Sequence, residues 1–364
     1  MRETLRQLAL GLAGIVLALA AGAVALAARG QAPLDVYRVL FRYAAGSWYD
    51  LSNSLHNAVP LILTGLAAAV GFGAGVVNLG QQGQLLVGAL ATALVGVALP
   101  LPRAPALAVG IAAGMLAGAL WGALAAWMRH RLGMDEFITT LMLNFVAVYA
   151  TGYLVTYPLM DPTAYTPMTV QVLPAYWLPR LSASAELDAG VLLAGAAVLA
   201  MALAARYTPL GYEWRMMGLN ALAAKLAGID TARNVSLALW VGGALSGLAG
   251  ALLVMGGVQH RFVDGMAANY AWDGIMVAII GQNGVVATTL YALFFGALQT
   301  GSLGMEFEVG VPSEFSMVVQ ALVVVFAVAG PLLLDRTLTR WALRRVEKEV
   351  VSPGAGHGAA GGGA

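Results

Sequence analysis

Apolar positions in this chain are grouped into long runs with few charges between their ends. A helix needs about 20 apolar residues to cross a hydrocarbon core about 30 Å thick. Runs near that length occupy 7–28, 57–77, 82–101, 104–128, 137–157, 188–205, 235–257 and 315–334. The first run exceeds the usual apolar region of a secretory signal, about 7–15 residues, so we expect an uncleaved first helix. The pattern predicts an all-α integral membrane protein.

The ninth apolar stretch, 273–300, predicts a broken or re-entrant hairpin. If 258–271 and 301–314 lie on one side of the membrane, about 28 residues must enter and return, which is too short for two crossings. We therefore expect two short helices hinged at 281–284, with the hinge inside the membrane. Counting both halves gives about ten helices.

Basic residues predict the orientation of the helices. Lys and Arg concentrate near the N-terminus and in 129–131, 206–233 and 336–348. By the positive-inside rule these segments are cytoplasmic, and so are both termini. We expect a membrane domain over 1–350 and a disordered Gly/Ala-rich cytoplasmic tail over 351–364.

Composition excludes several functions. The chain is 60% hydrophobic and 10% charged, with a net charge of +1 and no cysteine. It has no basic stripe for nucleic acid. Its four histidines are scattered, so their spacing predicts no metal site. The sequence contains no Walker A, His-Glu-x-x-His or nucleophile-elbow motif, so we expect no enzyme activity and no cofactor in this chain.

Glycine stripes predict close helix packing. Gly110, Gly114, Gly118 and Gly122 recur every four residues, and Gly243 and Gly247 form a similar pair. The two stripes share a short sequence match, which is weak evidence for inverted repeats. Between spans, 34–49 predicts a helix at the interface, and the proline-rich 158–187 predicts a shaped, non-helical loop.

Polar residues inside or between spans are the candidates for a solute path. Asn78, Gln81 and Gln84 either cap helix ends or offer amides to a neutral solute. Thr140 and Asn144 lie on one face of a helix, so they either bond a neighbouring helix or face the path.

A second group of candidates lies on the hairpin. Trp272 either belongs to an interfacial belt or stacks on a planar ring of the solute. Asp273 either caps the first half-helix or accepts from hydroxyl groups, and Asn283 lies at the hinge.

The segment 218–229 predicts a short cytoplasmic amphipathic helix that ends at a glycine. It is either a connector or a docking element for another protein. The candidate docking residues are Gly218, Asn220, Ala223, Ala224, Lys225 and Gly228.

These same residues resemble the ABC importer permeases of the branched-chain amino acid and ribose permease family, and most closely its nucleoside-type branch. The resemblance is carried by 78–84, 139–144, 218–229 and 272–275, and it extends over roughly 50–335. The chain departs from the family at Gln82, where a glutamate is usual, so a carboxylate is missing there.

The resemblance implies a permease of the vitamin B12 importer type. In such an importer 218–229 docks on a separate ATPase subunit, which binds ATP and Mg. A second permease, in a heterodimer or homodimer, flanks a central path, and an external solute-binding protein delivers cargo at a prokaryotic cell membrane. A nucleoside is the expected cargo and a simple sugar the alternative. A secondary transporter and a structural membrane protein are more distant alternatives, because the spans hold few ionisable residues and the hairpin suits a cavity.

Overall fold

The computed structural model describes residues 2–182, 186–267 and 269–328, with side chains from residue 14 onward. Within this part, extended backbone pairs only in three isolated bridges between loops. The helices are α1 (Arg2–Ala28), α2 (Pro33–Ala45), α3 (Trp48–Gly73), α4 (Gln81–Ala98), α5 (Arg103–Leu132), α6 (Glu136–Thr156), α7 (Gly190–Tyr207), α8 (Pro209–Leu219), α9 (Ala221–Leu226), α10 (Thr231–Met255), α11 (Tyr270–Ile280), α12 (Val285–Val309) and α13 (Phe315–Val328).

Seven of these helices are long and apolar enough to cross a membrane: α3, α4, α5, α6, α7, α10 and α12. Three shorter apolar stretches, in α1, α11 and α13, join them in the described residues. The prediction of an all-α membrane protein with about ten membrane helices is confirmed. The expected tail, 351–364, lies outside the described residues.

The two ends of the helix bundle differ in charge. Arg129 and Arg131 end α5, Arg206 lies at the end of α7, and α8 and α9 carry Arg215 and Lys225. We call this end the basic face. The other end, with α2 and the loop 157–189, is the opposite face. α3 runs from the opposite face to the basic face, where its last residue, Gly73, contacts Gly218 of α8.

The two glycine stripes contact one another. A Cβ at Gly118 would overlap the carbonyl oxygen of Gly243, and one at Gly122 would overlap that of Leu239. Only glycine lets the backbones of α5 and α10 approach this closely. The predicted packing role of the stripes is therefore observed, with the two stripes as partners.

The hairpin differs from its predicted form in one arm. Gly281–Gly284 separates α11 from α12, and Gln282 and Asn283 have positive φ angles. α11 has 11 residues and is too short to span, as expected. α12 has 25 residues and extends about 37 Å, because its helix continues nine residues past the predicted end at 300. The expectation of two short helices is wrong for this second arm. The hinge lines a cavity on the basic face together with residues of α8, and its depth in the membrane remains a prediction.

The opposite face is organised by short-range polar contacts. The predicted interfacial helix ends at Ala45, because the hydroxyl of Ser47 accepts from the Asp50 N–H and starts α3, so Trp48 and Tyr49 belong to α3. In the described residues of the loop, 157–182 and 186–189, the backbone is non-helical apart from a 3-10 turn at Pro174–Tyr176. There Tyr176 is buried and donates to the Leu99 carbonyl at 3.0 Å. The proline-rich segment is shaped as predicted.

Asp188 joins three elements at this face. Its Oδ1 accepts from Gly190 N at 2.7 Å, its Oδ2 accepts from Gly257 N at 3.0 Å, and His56 Nδ1 lies 3.4 Å from Oδ2. Burial raises the pKa of Asp188, but His56 and the two backbone N–H groups together lower it by more, so the pKa falls below its ordinary 3.8. Asp188 therefore fixes the start of α7 against α3 and the end of α10.

Candidate solute path and coupling site

α4 begins inside the bundle rather than at its surface. After α3 ends at Gly73, the chain turns back, and Gln81 reaches the backbone of α3 at Thr64 and Ala68. With its amide oriented to match its neighbours, Gln81 donates to Thr64 O at 3.0 Å and accepts from Ala68 N at 3.1 Å. Thr64 lies nine residues, about 13 Å, from the end of α3. The predicted polar motif therefore lies well inside the length of α3 rather than at its end.

The other candidate residues of this motif, Asn78 and Gln84, form hydrogen bonds within the subunit. Asn78 and Gln84 exchange two side-chain bonds of 3.3 Å, and Asn78 Oδ1 also accepts from Gly80 N at 2.9 Å. These bonds order the turn that precedes α4. Asn78, Gln81 and Gln84 are all buried.

Two residues of α6 fasten the same loop. Thr140 Oγ1 accepts from Leu79 N at 3.2 Å. Asn144 accepts from Gly83 N at 2.8 Å and donates to the carbonyl oxygen of Leu79. The structure thus brings Asn78, Gln81, Gln84, Thr140 and Asn144 into one cluster, with their polar groups paired inside the subunit. This arrangement corresponds to the capping and helix-bonding alternatives, and a role in the path remains a prediction.

α11 begins at the same depth as the motif. Thr64 Oγ1 donates to Tyr270 O at 2.8 Å, and a Cβ at Gly274 would overlap the Thr64 side chain. Asp273 is buried, makes no capping bond, and accepts from Gln299 of α12 at 2.9 Å. Trp272 is partly exposed on another face of the helix. Both residues lie at the level of Thr64 along α3, and a role for either in the path remains a prediction.

Two cavities approach α11 from the two faces of the bundle. The cavity on the opposite face, about 370 Å³, reaches Asp273. The cavity on the basic face, about 730 Å³, is lined by the hinge residues Gly281–Gly284. Between them α11 packs on α3, where Gly65 contacts Val277 and Thr288. A short helix that separates two cavities on opposite faces of the bundle is suited to controlling access between them.

The basic-face cavity joins the hinge to α8. Asn283 and Trp214 both line it, and neither the Asn283 Oδ1 nor the Trp214 Nε1 has a hydrogen-bond partner among the described residues. Leu66, Val70 and Phe72 of α3 supply apolar wall. The hinge and α8 therefore face each other across this cavity.

Each residue of the predicted docking motif has a distinct local role. Gly218 lets α8 pass the end of α3, because a Cβ would overlap the carbonyl oxygen of Gly73. Asn220 caps α9 by accepting from Ala223 N at 3.0 Å. Ala224 is fully buried, and Lys225 is exposed. Gly228, with φ of 89°, follows the end of α9 in a conformation that favours glycine.

The surface of this segment is apolar. Leu219, Leu222 and Leu226 are 77%, 68% and 82% exposed. Leu222 and Leu226 are four residues apart and lie on one side of α9, while Ala224 faces inward, and Leu219 ends α8 just before the extended Asn220. We call Leu219, Leu222 and Leu226 the leucine stripe. Three exposed leucines on a charged face fit the docking alternative for this segment, which remains a prediction.

Comparison with known proteins identifies the fold's family. A family described as "Branched-chain amino acid transport system / permease component" matches residues 51–328. The chain belongs to this permease family. The sequence-based recognition of an ABC transporter permease is confirmed.

Three relatives match the permease over most of its length. It is 36% identical over 326 residues to the glucose ABC transporter permease protein TsgB13 of Haloferax volcanii, covering 87% of this chain and 86% of the relative. It is 32% identical to the guanosine ABC transporter permease protein NupP of Bacillus subtilis, covering 91% and 95%. It is 31% identical to the nucleoside ABC transporter permease protein NupB of Lactococcus lactis, covering 90% and 92%. No solved structure gives a significant match, so the likeness to the vitamin B12 importer remains a prediction.

Sequence reasoning missed several polar residues of the permease. Asn57, Gln299 and Gln320 line the opposite-face cavity, and Thr64 links α3 to α11. All four are polar residues inside apolar helices, and that signal could have identified them. Their partners could not be read from the sequence, because α3, α11, α12 and α13 meet only in the fold.

Proposed function

We propose that this permease is the membrane subunit of an ATP-driven importer and that the leucine stripe docks on its ATPase subunit. The observation that carries this proposal is the position of α9. Leu222 and Leu226 of α9 are exposed on the basic face beside Leu219 of α8, and α8 contacts the end of α3 and faces the hinge across the cavity. ATP-driven movement of the partner would be transmitted from α9 through α8 to α3 and α11.

We propose a nucleoside as the cargo. The guanosine and nucleoside permeases among the relatives support this cargo, as do the hydroxyl-binding groups near Asp273. Asp273, Trp272 and Asn283 include no cation that would hold a phosphate or carboxylate. A simple sugar is the second candidate, and the similarity to a glucose permease supports it.

The remaining partners follow from this role. ABC permeases work with ATPase and solute-binding subunits, and here we propose ATP and Mg binding in the ATPase subunit alone. A second permease, identical or different, would complete the path at a face that includes Trp272. By the positive-inside rule the basic face and both termini are cytoplasmic, and a prokaryotic cell membrane is the proposed location.

Cargo competition tests the assignment. The permease, co-expressed with its partner subunits in vesicles, is assayed for uptake of labelled guanosine against excess inosine, glucose, nucleotide or amino acid. We expect inosine to compete and the nucleotide and amino acid to have no effect. Competition by glucose alone would support the sugar alternative, and faster uptake of nucleotide or amino acid would refute both.

A further inference from the structure

We propose that the opposite-face cavity of each permease subunit binds a neutral, hydroxyl-bearing solute, such as the sugar ring of a nucleoside. This inference rests on the proposed function and assigns a binding site for cargo inside one subunit, separate from any path between two subunits. The cavity lies between α3, α11, α12 and α13 and extends from the turn at Ser313 and Glu314 down to Asp273.

The cavity is polar at a depth where polar groups are costly. The residues that line it include the polar Asn57, Gln299, Gln320, Tyr270 and Ser302. Polar side chains at membrane depth generally face a protein interior or a water-filled path, and they mark functional sites. Its volume of about 370 Å³ is at the lower end of the range for small-molecule sites. The dimensions therefore suit a small solute.

One residue that lines the cavity, Gln320, has a side-chain N–H group with no hydrogen-bond acceptor among the described residues. Gln320 of α13 is 1% exposed, and its Nε2 has no hydrogen-bond partner in the described part of the chain. A buried N–H donor without an acceptor is destabilising. A ligand oxygen in the cavity would supply that acceptor, whereas a bound cation could not. Gln320 therefore favours a ligand with hydroxyl or carbonyl oxygens over a metal ion.

The facing wall supplies an acceptor. Gln299 donates to Asp273 Oδ2 at 2.9 Å, which leaves the second carboxylate oxygen to accept from a ligand hydroxyl. A solute hydroxyl both donates and accepts, so a sugar ring could pair with Asp273 and Gln320 together.

The charge of the wall excludes anions. The residues that line the cavity include Asp273 and Glu314 and, in the described chain, no Lys or Arg. A phosphate or carboxylate would meet like charge without a cationic partner. The selectivity expected of this cavity is therefore that of a neutral polar ligand.

Ligand-induced thermal stabilisation tests the site without requiring transport. The whole permease subunit in lipid nanodiscs is titrated with guanosine, with glucose and with sodium chloride. We expect guanosine or glucose to raise the melting temperature of wild type. Gln320→Leu should weaken this response about 3- to 10-fold in half-saturating concentration, the size expected for one lost hydrogen bond. Its melting temperature without ligand should stay unchanged or rise, because the buried amide has no partner to lose.

Two further variants complete the test. Ser246→Ala is the matched control, because Ser246 is also buried with an unpartnered oxygen but lies in α10, away from the cavity. It should keep the wild-type response. Ser313→Trp places a bulky ring at the mouth of the cavity and should reduce the response even if Gln320→Leu does not fold.

Three outcomes would overturn the inference: wild type that no neutral solute stabilises, a response to sodium alone, or equal responses from wild type, Gln320→Leu and Ser313→Trp. If this inference fails while wild-type vesicles still import guanosine, the proposed function stands and the solute binds elsewhere. If vesicles import neither nucleoside nor sugar, the proposed function itself fails.

Discussion

Replacing two residues of the leucine stripe, Leu222→Ser with Leu226→Ser, should detach the permease from its ATPase subunit without unfolding it. Both side chains are largely exposed, so the isolated subunit loses little packing when they are shortened. Surface substitutions of this kind usually change stability by about 0.5 kcal/mol or less. The effect should therefore appear in the complex and not in the subunit.

The expected loss follows from the area that docking would cover. Burying a leucine side chain completely stabilises by about 1.5–3 kcal/mol. Leu222 is 68% exposed and Leu226 is 82% exposed, so docking would add about 1–2 kcal/mol for each. Together they amount to about 2–4 kcal/mol, which corresponds to a 30- to 700-fold weaker ATPase affinity.

The assay measures the affinity of the purified ATPase subunit for the permease in nanodiscs, alongside the melting temperature of the permease. Leu34→Ser is the matched control, because Leu34 is also 82% exposed but lies on α2 at the opposite face. It should bind the ATPase subunit like wild type.

One result would refute this reasoning. If the double variant keeps the wild-type melting temperature and binds the ATPase subunit within twofold of wild type, the leucine stripe is not the docking surface. A change at Ala224 could not give this answer, because Ala224 is fully buried and a larger side chain there would disturb the subunit itself.

Three further predictions concern packing, pH and the hinge. Gly118→Leu should destabilise the permease by about 1–3 kcal/mol or more, and so lower its melting temperature, because the new side chain overlaps α10. Gly195→Leu is the control and should not lower it, because nothing lies within 4 Å of a Cβ at that position. Because the pKa of Asp188 is lowered in the fold, its stabilisation is present above pH 3.8 and is lost as the pH falls through the folded value. Wild type should thus lose more stability than Asp188→Asn on acidification, as measured by thermal melts at a series of pH values. Asn283→Cys should react with an impermeant thiol reagent from the basic side only, and labelling from the opposite side only would contradict the observed hinge position.

The membrane fold was predictable from apolar run length, and close packing at α5 and α10 from glycine spacing, but the fold was needed to show that these two helices pack on each other. The end of α12 was not predicted, because Gly301 and Gly304 and the acidic Glu306 and Glu308 resemble a loop in composition. In the fold those glycines pack against Leu40 and Tyr43, and Glu308 pairs with Arg42, so α2 supports the helical extension. Such tertiary support leaves no local sequence signal.

Only part of the candidate site was predictable, because the local sequence does not show which groups meet in the fold. Asn78, Asn144 and Asp273 were recognisable as polar residues at costly depth, but their sequence could not show whether a solute or a neighbouring helix satisfies them. The fold pairs Asn78 with Gln84 and Asn144 with the backbone of the loop before α4. Asp273 is paired with Gln299 at the wall of a cavity. Only the three-dimensional arrangement separates residues that support α4 from those that line a cavity.

Uptake of guanosine by reconstituted vesicles tests the central claim most directly. The vesicles contain the permease with its ATPase and solute-binding subunits, and uptake is measured with Mg-ATP, with a non-hydrolysable analogue, and with an imposed sodium or proton gradient. We expect guanosine to accumulate only when ATP is hydrolysed. Accumulation driven by an ion gradient without ATP would contradict the account and show a secondary transporter instead.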